Sequence, residues 1–318
     1  MPSRAMLLVG LGRRFPRSVP TMLTERFARA IENASVLDRP ADAGANLLNK
    51  LLKPGVVKDA LSGTWLGHPA HPILVAVPIG AWVSSTVLDL VGGRSARPAA
   101  RTLVGLGALA ALPTAMTGAS DWADTMGAER RLGFVHAMAN YTALGLYAQS
   151  WRARGQGAHS RGVALSVLGS GVLGVGGWLG GHLAYARGVG VDTTAFLGAP
   201  QDWTDVAAEA DLVEGEPLGV TLGALPVLLL RRGATLIALN DRCTHRGAPL
   251  HEGPIVDGCI ECPWHGSRFT LTDGEVVRGP ATRPQPSYEV RAESGRVLIR
   301  ETQTQNSLRT NPVAAVPA

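Results

Sequence analysis

Cysteine is scarce in this chain. Only three occur among 318 residues, namely Cys243, Cys259 and Cys262. So small and odd a number excludes a framework of disulfide bonds as the basis of the fold. Charged residues are also few, at 17%, whereas hydrophobic residues reach 46% and the mean hydropathy is +0.12. This balance predicts apolar segments beyond the needs of a soluble core.

Acidic residues are outnumbered by basic ones, which gives a formal net charge of +5 and an isoelectric point near 9.5. An excess of this kind can indicate binding to nucleic acid. Here, however, the arginines separate apolar segments, and no basic stripe with interleaved aromatic residues accompanies them. We therefore expect no nucleic-acid partner and interpret the arginines as flanks of membrane spans, next to membrane lipid.

The length predicts two or three domains. Changes in composition divide the chain into a polar leader (1–60), a transmembrane domain (61–190), a linker (191–203), a β-rich domain (204–301) and a disordered tail (302–318). Within the leader, residues 24–31 and 47–52 predict short amphipathic helices on the membrane surface. Two arginines follow residues 1–12 directly, without a small-residue cleavage site, so we expect no signal peptide.

Four apolar segments fill the predicted transmembrane domain. They cover about residues 73–92, 99–118, 132–151 and 162–186. Each approaches the roughly 20 residues that a helix needs to cross a bilayer. The fourth is rich in glycine, which lets helices approach closely. The sequence predicts an all-α four-helix transmembrane bundle with both ends of the chain on one side, and the arginine counts of the two sides nearly balance.

Short β-rich runs follow the linker. The clearest cover residues 227–230, 235–239, 269–271, 275–277, 288–292 and 297–300. Gly274 and Gly295 mark turns between consecutive runs. Many short strands at close spacing predict an all-β antiparallel sandwich or barrel.

Two loops of this β-rich part each contain one cysteine and one histidine. They read C-T-H-R-G-A-P-L from Cys243 and C-P-W-H-G-S-R-F from Cys262. A Rieske centre needs such donors, with two cysteines on one iron and two histidines on the other. A zinc site is the alternative, but zinc ribbons usually carry Cys-x2-Cys knuckles. The loops therefore predict a [2Fe–2S] cluster on Cys243, His245, Cys262 and His265, with Cys259 as a packed core thiol.

Residues 201–301 resemble the Rieske ferredoxins that supply electrons to aromatic-ring dioxygenases, and the related small subunits of nitrite reductases. The matching stretches are the two loops, T-D-G-E-V-V, and Gly279-Pro280-Ala281, which resembles the proline loop that covers the cluster in this family. The resemblance implies that the four cysteine and histidine side chains are ligands. It also implies that both histidines are partly exposed for electron exit.

Two positions depart from the Rieske proteins of quinol-oxidising cytochrome bc complexes. Those proteins carry an extra cysteine in each loop, and the two form a disulfide, whereas Ala248 and Trp264 stand at these positions here. Ser267 matches the serine that bonds to a bridging sulfide in that group, but Phe269 replaces the tyrosine that helps to raise the potential. The resemblance therefore implies a reduction potential below theirs.

The first apolar segment is preceded by G-T-W-L-G-H-P-A-H-P-I, from Gly63 to Ile73, and ends near Asp89. This part resembles an uncharacterised family of four-helix bacterial membrane domains that are sometimes fused to Rieske domains. The resemblance implies no activity for the membrane part.

Three histidines lie near the ends of the predicted spans. His71 begins the first, His136 lies near the start of the third, and His182 lies near the end of the fourth. Because successive helices alternate in direction, all three belong to the face that bears the β-rich domain. Two histidines from different helices can bind a haem axially, and ionisable residues in membrane segments tend to be functional. We expect haem b on His136 and His182 with His71 in reserve; the alternative is that all three are interfacial side chains bonded to headgroups and carbonyls.

The predicted function is single-electron transfer between a redox partner protein and the membrane, through haem b or quinone. A Rieske oxygenase would need a large catalytic iron domain after the cluster, so we expect an electron-transfer component and not a complete enzyme. Two alternatives stay open: a membrane-bound redox or iron–sulfur sensor, and the ferredoxin component of an oxygenase system. We expect the termini and the β-rich domain to be cytoplasmic.

Overall fold

The computed structural model describes residues 23–302. The predictions for residues 1–12 and for the tail after residue 302 lie outside this range. The helices, in chain order, are α1 (Leu23–Glu32), α2 (Asp38–Leu51), α3 (Val56–Ser62), α4 (Ala70–Leu74), α5 (Ala76–Val91), α6 (Arg97–Ala123), α7 (Gly127–Gly155) and α8 (His159–Gly181). A wider π-helical turn, His182–Ala186, continues α8.

The break between α4 and α5 has a local cause. Pro78 has no N–H group, so the carbonyl of Leu74 loses its helical partner, and the proline ring crowds that carbonyl. The hydroxyl of Thr114 in α6 donates to the freed oxygen at 3.3 Å. Helices α4 and α5 therefore form one bent helix, and both parts pack against α6.

Helices α5 to α8 form an antiparallel bundle in which each packs beside the next, and α8 also contacts α5. Within residues 23–302, three helical stretches are long and apolar enough to cross a membrane: Ala70–Val91, Arg94–Ala123 and His159–Ala186. The predicted span at 132–151 lies inside α7, which is long enough, but polar side chains such as His136 and Asn140 lower its hydropathy. By length and composition, three helices of residues 23–302 could thus cross a membrane, and the predicted count of four is not confirmed.

The described part of the leader packs on the bundle. Ala28 and Ile31 of α1 are buried against Leu132 of α7 and Leu179 of α8. Ion pairs fix α2 in the same way, since Arg130 of α7 lies 2.7 Å from Asp42. Helix α1 confirms the amphipathic helix predicted at 24–31, and its apolar face lies on protein.

The second domain is built from ten strands: β1 (Thr204–Ala208), β2 (Leu218–Leu222), β3 (Leu225–Arg232), β4 (Thr235–Asn240), β5 (Ile255–Val256), β6 (Cys259–Glu261), β7 (Arg268–Thr270), β8 (Val276–Arg278), β9 (Tyr288–Glu293) and β10 (Arg296–Glu301). They form three antiparallel sheets, ordered β1-β10-β9, β2-β3-β4 and β5-β6-β7-β8. The antiparallel all-β prediction is confirmed.

Strand β3 explains why this domain has two apolar cores. Its burial is nearly continuous, and alternate side chains point to opposite faces. Leu228 and Leu230 join one core, which contains Cys243 and Cys262, whereas Val227 and Leu229 join the other. The cysteine loops therefore rest on the first core, at the end of β4 and between β6 and β7.

Candidate metal centre

The two cysteine–histidine loops have the same backbone geometry. The N–H of Cys243 donates to Ala248 at 2.9 Å, and the N–H of Gly247 donates back to Cys243 at 2.8 Å. In the second loop Cys262 and Gly266 make the equivalent bonds, of 2.7 Å to Ser267 and 3.0 Å to Cys262. Gly247 and Gly266 have φ values of +81° and +73°, a conformation that glycine adopts without strain. Each loop is thus a tight turn that presents its cysteine and histidine on one side.

The structure brings all four predicted ligands together. The rings of His245 and His265 meet edge to face with centroids 5.0 Å apart. The two thiols share a hydrogen bond, which lowers the pKa of Cys262 to about 7 and raises that of Cys243. Burial lowers the pKa of His245 to about 3. The site therefore favours a thiolate and neutral imidazoles, the forms that bind metals.

These donors fit a two-iron cluster better than zinc. The Nδ1 atoms of His245 and His265 are both buried and have no hydrogen-bond partner, so one nitrogen of each ring is free to bind a metal. Within the range 23–302, no three His, Cys, Asp or Glu side chains converge on one metal position. A zinc site normally takes four protein ligands on one ion, whereas a Rieske cluster takes two on each of two irons.

Cys259 lies apart from the loops. It is buried in β6, opposite Thr270 of β7. Its sulfur has only a long contact, 3.9 Å, to the carbonyl of Asp257. This position agrees with its interpretation as a packed core thiol.

The histidine side of the site faces the helical domain. Nε2 of His245 lies 3.7 Å from Oδ2 of Asp124, in the turn that joins α6 to α7. The same carboxylate oxygen lies 2.9 Å from Nζ of Lys58 in α3, in a geometry that makes an ion pair without a hydrogen bond. Lys58 and Asp124 are both almost fully buried, at 2% and 3% exposure. A desolvated ion pair of the helical domain therefore lies directly beside a predicted cluster ligand.

Further polar contacts hold the two domains together around this point. Arg246, next to His245, pairs with Glu129 of α7. The proline loop is held from the other side, because the N–H of Gly279 donates to Asp59 at 3.0 Å and Thr64 donates to the carbonyl of Ala281 at 3.2 Å. The first ligand loop thus docks on the α6–α7 turn and the start of α7, and the proline loop docks on α3 and the residues that follow it.

This docking surface has no recognisable pattern in the sequence. In the sequence, four charged residues of this surface resemble ordinary charges at the ends of apolar segments: Lys58, Asp59, Asp124 and Glu129. A signal was available in Asp124, an acidic residue directly after a long apolar helix on the predicted cluster side. Only tertiary contact distinguishes it from a solvated helix end.

The structure does not pair His136 with His182. Nε2 of His182 lies 3.2 Å from the carboxylate of Glu32 in α1, and its ring stacks on Trp178 with centroids 5.4 Å apart. His136 instead lies beside His71, with ring centroids 6.3 Å apart. The structure therefore does not bring the predicted axial pair together: His182 contributes to the attachment of α1, and His136 lies beside His71, the predicted reserve ligand.

Comparison with known proteins supports both halves of this description. Residues 202–289 match the Rieske [2Fe-2S] domain family. The ferredoxin subunit of anthranilate 1,2-dioxygenase from Burkholderia cepacia is 34% identical over 98 residues, which are 31% of this chain and 91% of that protein. The chain belongs to the Rieske [2Fe–2S] family. A bound [2Fe–2S] cluster and a role in electron transfer follow from this membership.

Other Rieske relatives differ in what accompanies the domain. Human apoptosis-inducing factor 3 is 34% identical over 104 residues, which are 32% of this chain and only 17% of that protein. The solved complex of reduced oxygenase and oxidised ferredoxin in carbazole 1,9a-dioxygenase contains a chain that is 35% identical, with a TM-score of 0.30; the match covers 32% of this chain and 97% of that one.

The helical half matches a different family. Residues 67–193 match the family described as Predicted membrane protein (DUF2231). This match confirms the resemblance that the H-P stretch and Asp89 indicated. This Rieske protein therefore carries its electron-transfer domain on a predicted membrane domain.

Proposed function

We propose that this Rieske protein transfers single electrons between a soluble redox partner and an acceptor or donor in the membrane, with the bundle as its multi-pass anchor. The cluster would be held by Cys243 and Cys262 on one iron and by His245 and His265 on the other. When bound, such a cluster supplies a one-electron couple whose potential rises with its histidine ligation.

The observation that carries this proposal is the direction in which His245 points. Its Nε2 meets Asp124 of the helical domain at 3.7 Å, so the imidazole side of the centre is turned towards the bundle. The ion pair of Arg246 with Glu129 and the contacts of the proline loop hold that orientation. A diffusible ferredoxin needs this side free for its partner. The docking therefore supports transfer into the membrane domain over the alternative of a mobile ferredoxin component.

A second side of the centre stays open to solvent. Trp264 is 47% exposed, and its ring centroid lies 6.4 Å from that of His265. An exposed aromatic side chain beside a ligand is a suitable contact for a partner protein, since such residues are enriched at interfaces. We place the soluble redox partner at this exposed aromatic side chain.

Electron exchange with a membrane acceptor tests the function. The full-length holoprotein is placed in lipid nanodiscs with and without quinone, its cluster is reduced chemically, and reoxidation is followed by stopped-flow absorbance. We expect reoxidation that depends on the membrane acceptor and slows at least tenfold in Arg246→Glu, which repels Glu129. The control Arg232→Glu makes the same charge change at an exposed strand end and should behave as wild type. Equal rates in all three proteins would refute the proposal.

The cytoplasmic side is proposed for the Rieske domain because its loops lack the disulfide of exported Rieske proteins. A cysteine introduced at Ser294, in an exposed turn of this domain, provides the test. Labelling by a membrane-impermeant maleimide should require permeabilised cells. Labelling in intact cells would place the domain outside.

A further inference from the structure

The membrane domain is built from two equivalent helical hairpins. The first consists of α4–α5 and α6, and the second of α7 and α8. His71 and His136 occupy equivalent positions: Nδ1 of His71 lies 2.9 Å from the carbonyl of Thr114, and Nδ1 of His136 lies 2.8 Å from the carbonyl of Gly176. In each hairpin the first helix thus bonds a histidine to the backbone of the second.

The equivalence extends along both hairpins. A glycine follows each accepting carbonyl by four residues and lies against the ring, with a Cβ on Gly118 falling 2.7 Å from His71 and one on Gly180 falling 3.0 Å from His136. Fourteen residues after each histidine, Ser85 donates to the carbonyl of Ala100 and Ser150 donates to the carbonyl of Gly162. Equivalent residues are 65 positions apart in the first helices and 62 in the second. The repeat is therefore consistent in residue spacing as well as in contacts.

Three equivalent pairs touch each other across the centre of the bundle. His71 lies beside His136; Trp82 stacks on Tyr147 with centroids 4.0 Å apart and planes within 5°; and Arg154 pairs with Asp89 at 2.8 Å. Residues related by a two-fold axis can meet only on that axis. The contacts therefore place a pseudo-two-fold axis along the bundle, as in transporters with parallel repeats. The histidine pair lies at the end of this axis that is nearer to the Rieske domain.

We infer that the His71–His136 pair binds the iron of a haem b between the two hairpins. This inference deepens the proposed function and rests on it for the direction of electron flow. Each Nδ1–H donates to a backbone carbonyl, which is the contact that orients a metal-binding histidine and leaves Nε2 with its lone pair. Nε2 of His71 has no hydrogen-bond partner among the described residues, and Nε2 of His136 meets only the amide of Asn140 at 3.3 Å.

The separation of the rings fits two ligands of one metal. An imidazole nitrogen lies about 2 Å from its metal and about 1 Å from its ring centroid, so opposite ligands have centroids about 6 Å apart. The observed distance is 6.3 Å, with the ring planes at 83°. The two rings come from α4 and α7, which belong to different hairpins. A metal between them would lie on the pseudo-two-fold axis with equivalent surroundings on both sides.

Two protein ligands are too few for a bare metal ion and suit the iron of a haem. No third His, Cys, Asp or Glu in residues 23–302 completes a metal site with this pair. A porphyrin supplies four further nitrogens to iron and leaves two axial positions for histidine. The three cysteines of the chain all lie in the Rieske domain, so the haem would be bound without thioether links.

The histidine pair lies near the predicted cluster site. Gly118, which lies against His71, precedes Asp124 by six residues, or about 9 Å along α6. Asp124 in turn lies 3.7 Å from His245. The haem site is therefore at the end of the bundle on which the Rieske domain docks.

Haem content of the purified full-length protein tests the inference. The protein is expressed with a haem precursor, and haem is measured by pyridine haemochrome beside acid-labile sulfide. We expect about one haem per cluster, a loss of at least about tenfold in His71→Gly and in His136→Gly, and recovery when free imidazole is added as the missing axial ligand. His182→Gly is the matched control and should keep its haem.

The outcomes separate this inference from the proposed function. Absence of haem in a preparation with full sulfide content overturns the inference, and so does a bare transition metal in its place. Haem that persists in both glycine variants would show that His71 and His136 are not its ligands. A haem-loaded protein whose cluster fails to exchange electrons with the membrane would instead overturn the proposed function and leave the haem site standing.

Discussion

Replacing Lys58 by methionine perturbs the contact between the two domains at its centre. Lys58 and Asp124 lie 2.9 Å apart with side-chain exposures of 3% and 4%. At an effective dielectric constant near 20, their Coulomb attraction is about 6 kcal/mol before desolvation. Removal of one partner of such a buried pair costs about 3–5 kcal/mol, because it leaves the other charge unpaired. We expect Lys58→Met to lower the free energy of unfolding by this amount.

The double variant Lys58→Met with Asp124→Asn distinguishes a charge effect from a packing effect. Removal of both charges abolishes the unpaired carboxylate, so the double variant should regain most of the loss and lie within about 1–2 kcal/mol of wild type. Lys50→Met is the control, since Lys50 is exposed on α2, and should change stability by no more than about 0.5 kcal/mol.

Urea unfolding in mild detergent measures these differences, because urea does not screen ion pairs as guanidinium does. Loss of cluster absorbance reports on the Rieske domain, and tryptophan fluorescence reports on the whole protein. A Lys58→Met variant within 1 kcal/mol of wild type would refute the argument from burial. Additive losses in the double variant would refute the pairing of the two charges.

Three further predictions follow from single contacts. Cys262→Ser should abolish the cluster, as measured by iron and sulfide content, whereas Cys259→Ser should keep it; equal losses would refute the ligand assignment. Asp89→Arg should destabilise the bundle in a thermal assay by about 3–5 kcal/mol, and adding Arg154→Asp should restore most of that loss. The hydrogen bond from Arg187 lowers the pKa of Glu32. The ionised Glu32 side chain therefore stabilises the attachment of α1 fully above the ordinary glutamate pKa of about 4.3. This stabilisation is lost as the pH falls through the lowered native pKa. Glu32→Gln should remove this acid-side loss in a pH series of unfolding midpoints, and an unchanged slope would refute the ion pair.

The cluster loops could be predicted from the sequence because their chemistry is local. Cys243 and His245 lie within three residues, and so the loop fixes their relation by itself. Gly247 and Gly266 mark the turns that both loops need. The same holds for strands β3, β4, β9 and β10, whose runs and turn residues are continuous in the chain. Strands β1, β2 and β5 lay outside the predicted runs, and the two residues of β5 carry too little pattern to indicate a strand.

The docking and the histidine pairing could not be predicted because they depend on contacts between distant segments. Lys58 meets Asp124 across 66 positions of the chain, and nothing in the sequence near either residue indicates the other. Helix direction alone places three histidines at the same end of the bundle and does not distinguish between them: His71, His136 and His182. Glu32 removes His182 from that set, and it does so from a segment that the sequence assigned to the membrane surface.

The central claim is that this chain holds a [2Fe–2S] cluster through two thiolates and two imidazoles. Pulsed EPR of the chemically reduced holoprotein, labelled with ¹⁵N-histidine and placed in nanodiscs, tests it most directly, because the reduced cluster has an unpaired electron that couples to its ligand nitrogens. We predict two strongly coupled histidine nitrogens, both lost together with the signal in His245→Ala. A reduced cluster without histidine couplings, or a protein that contains zinc and no sulfide, would contradict the account.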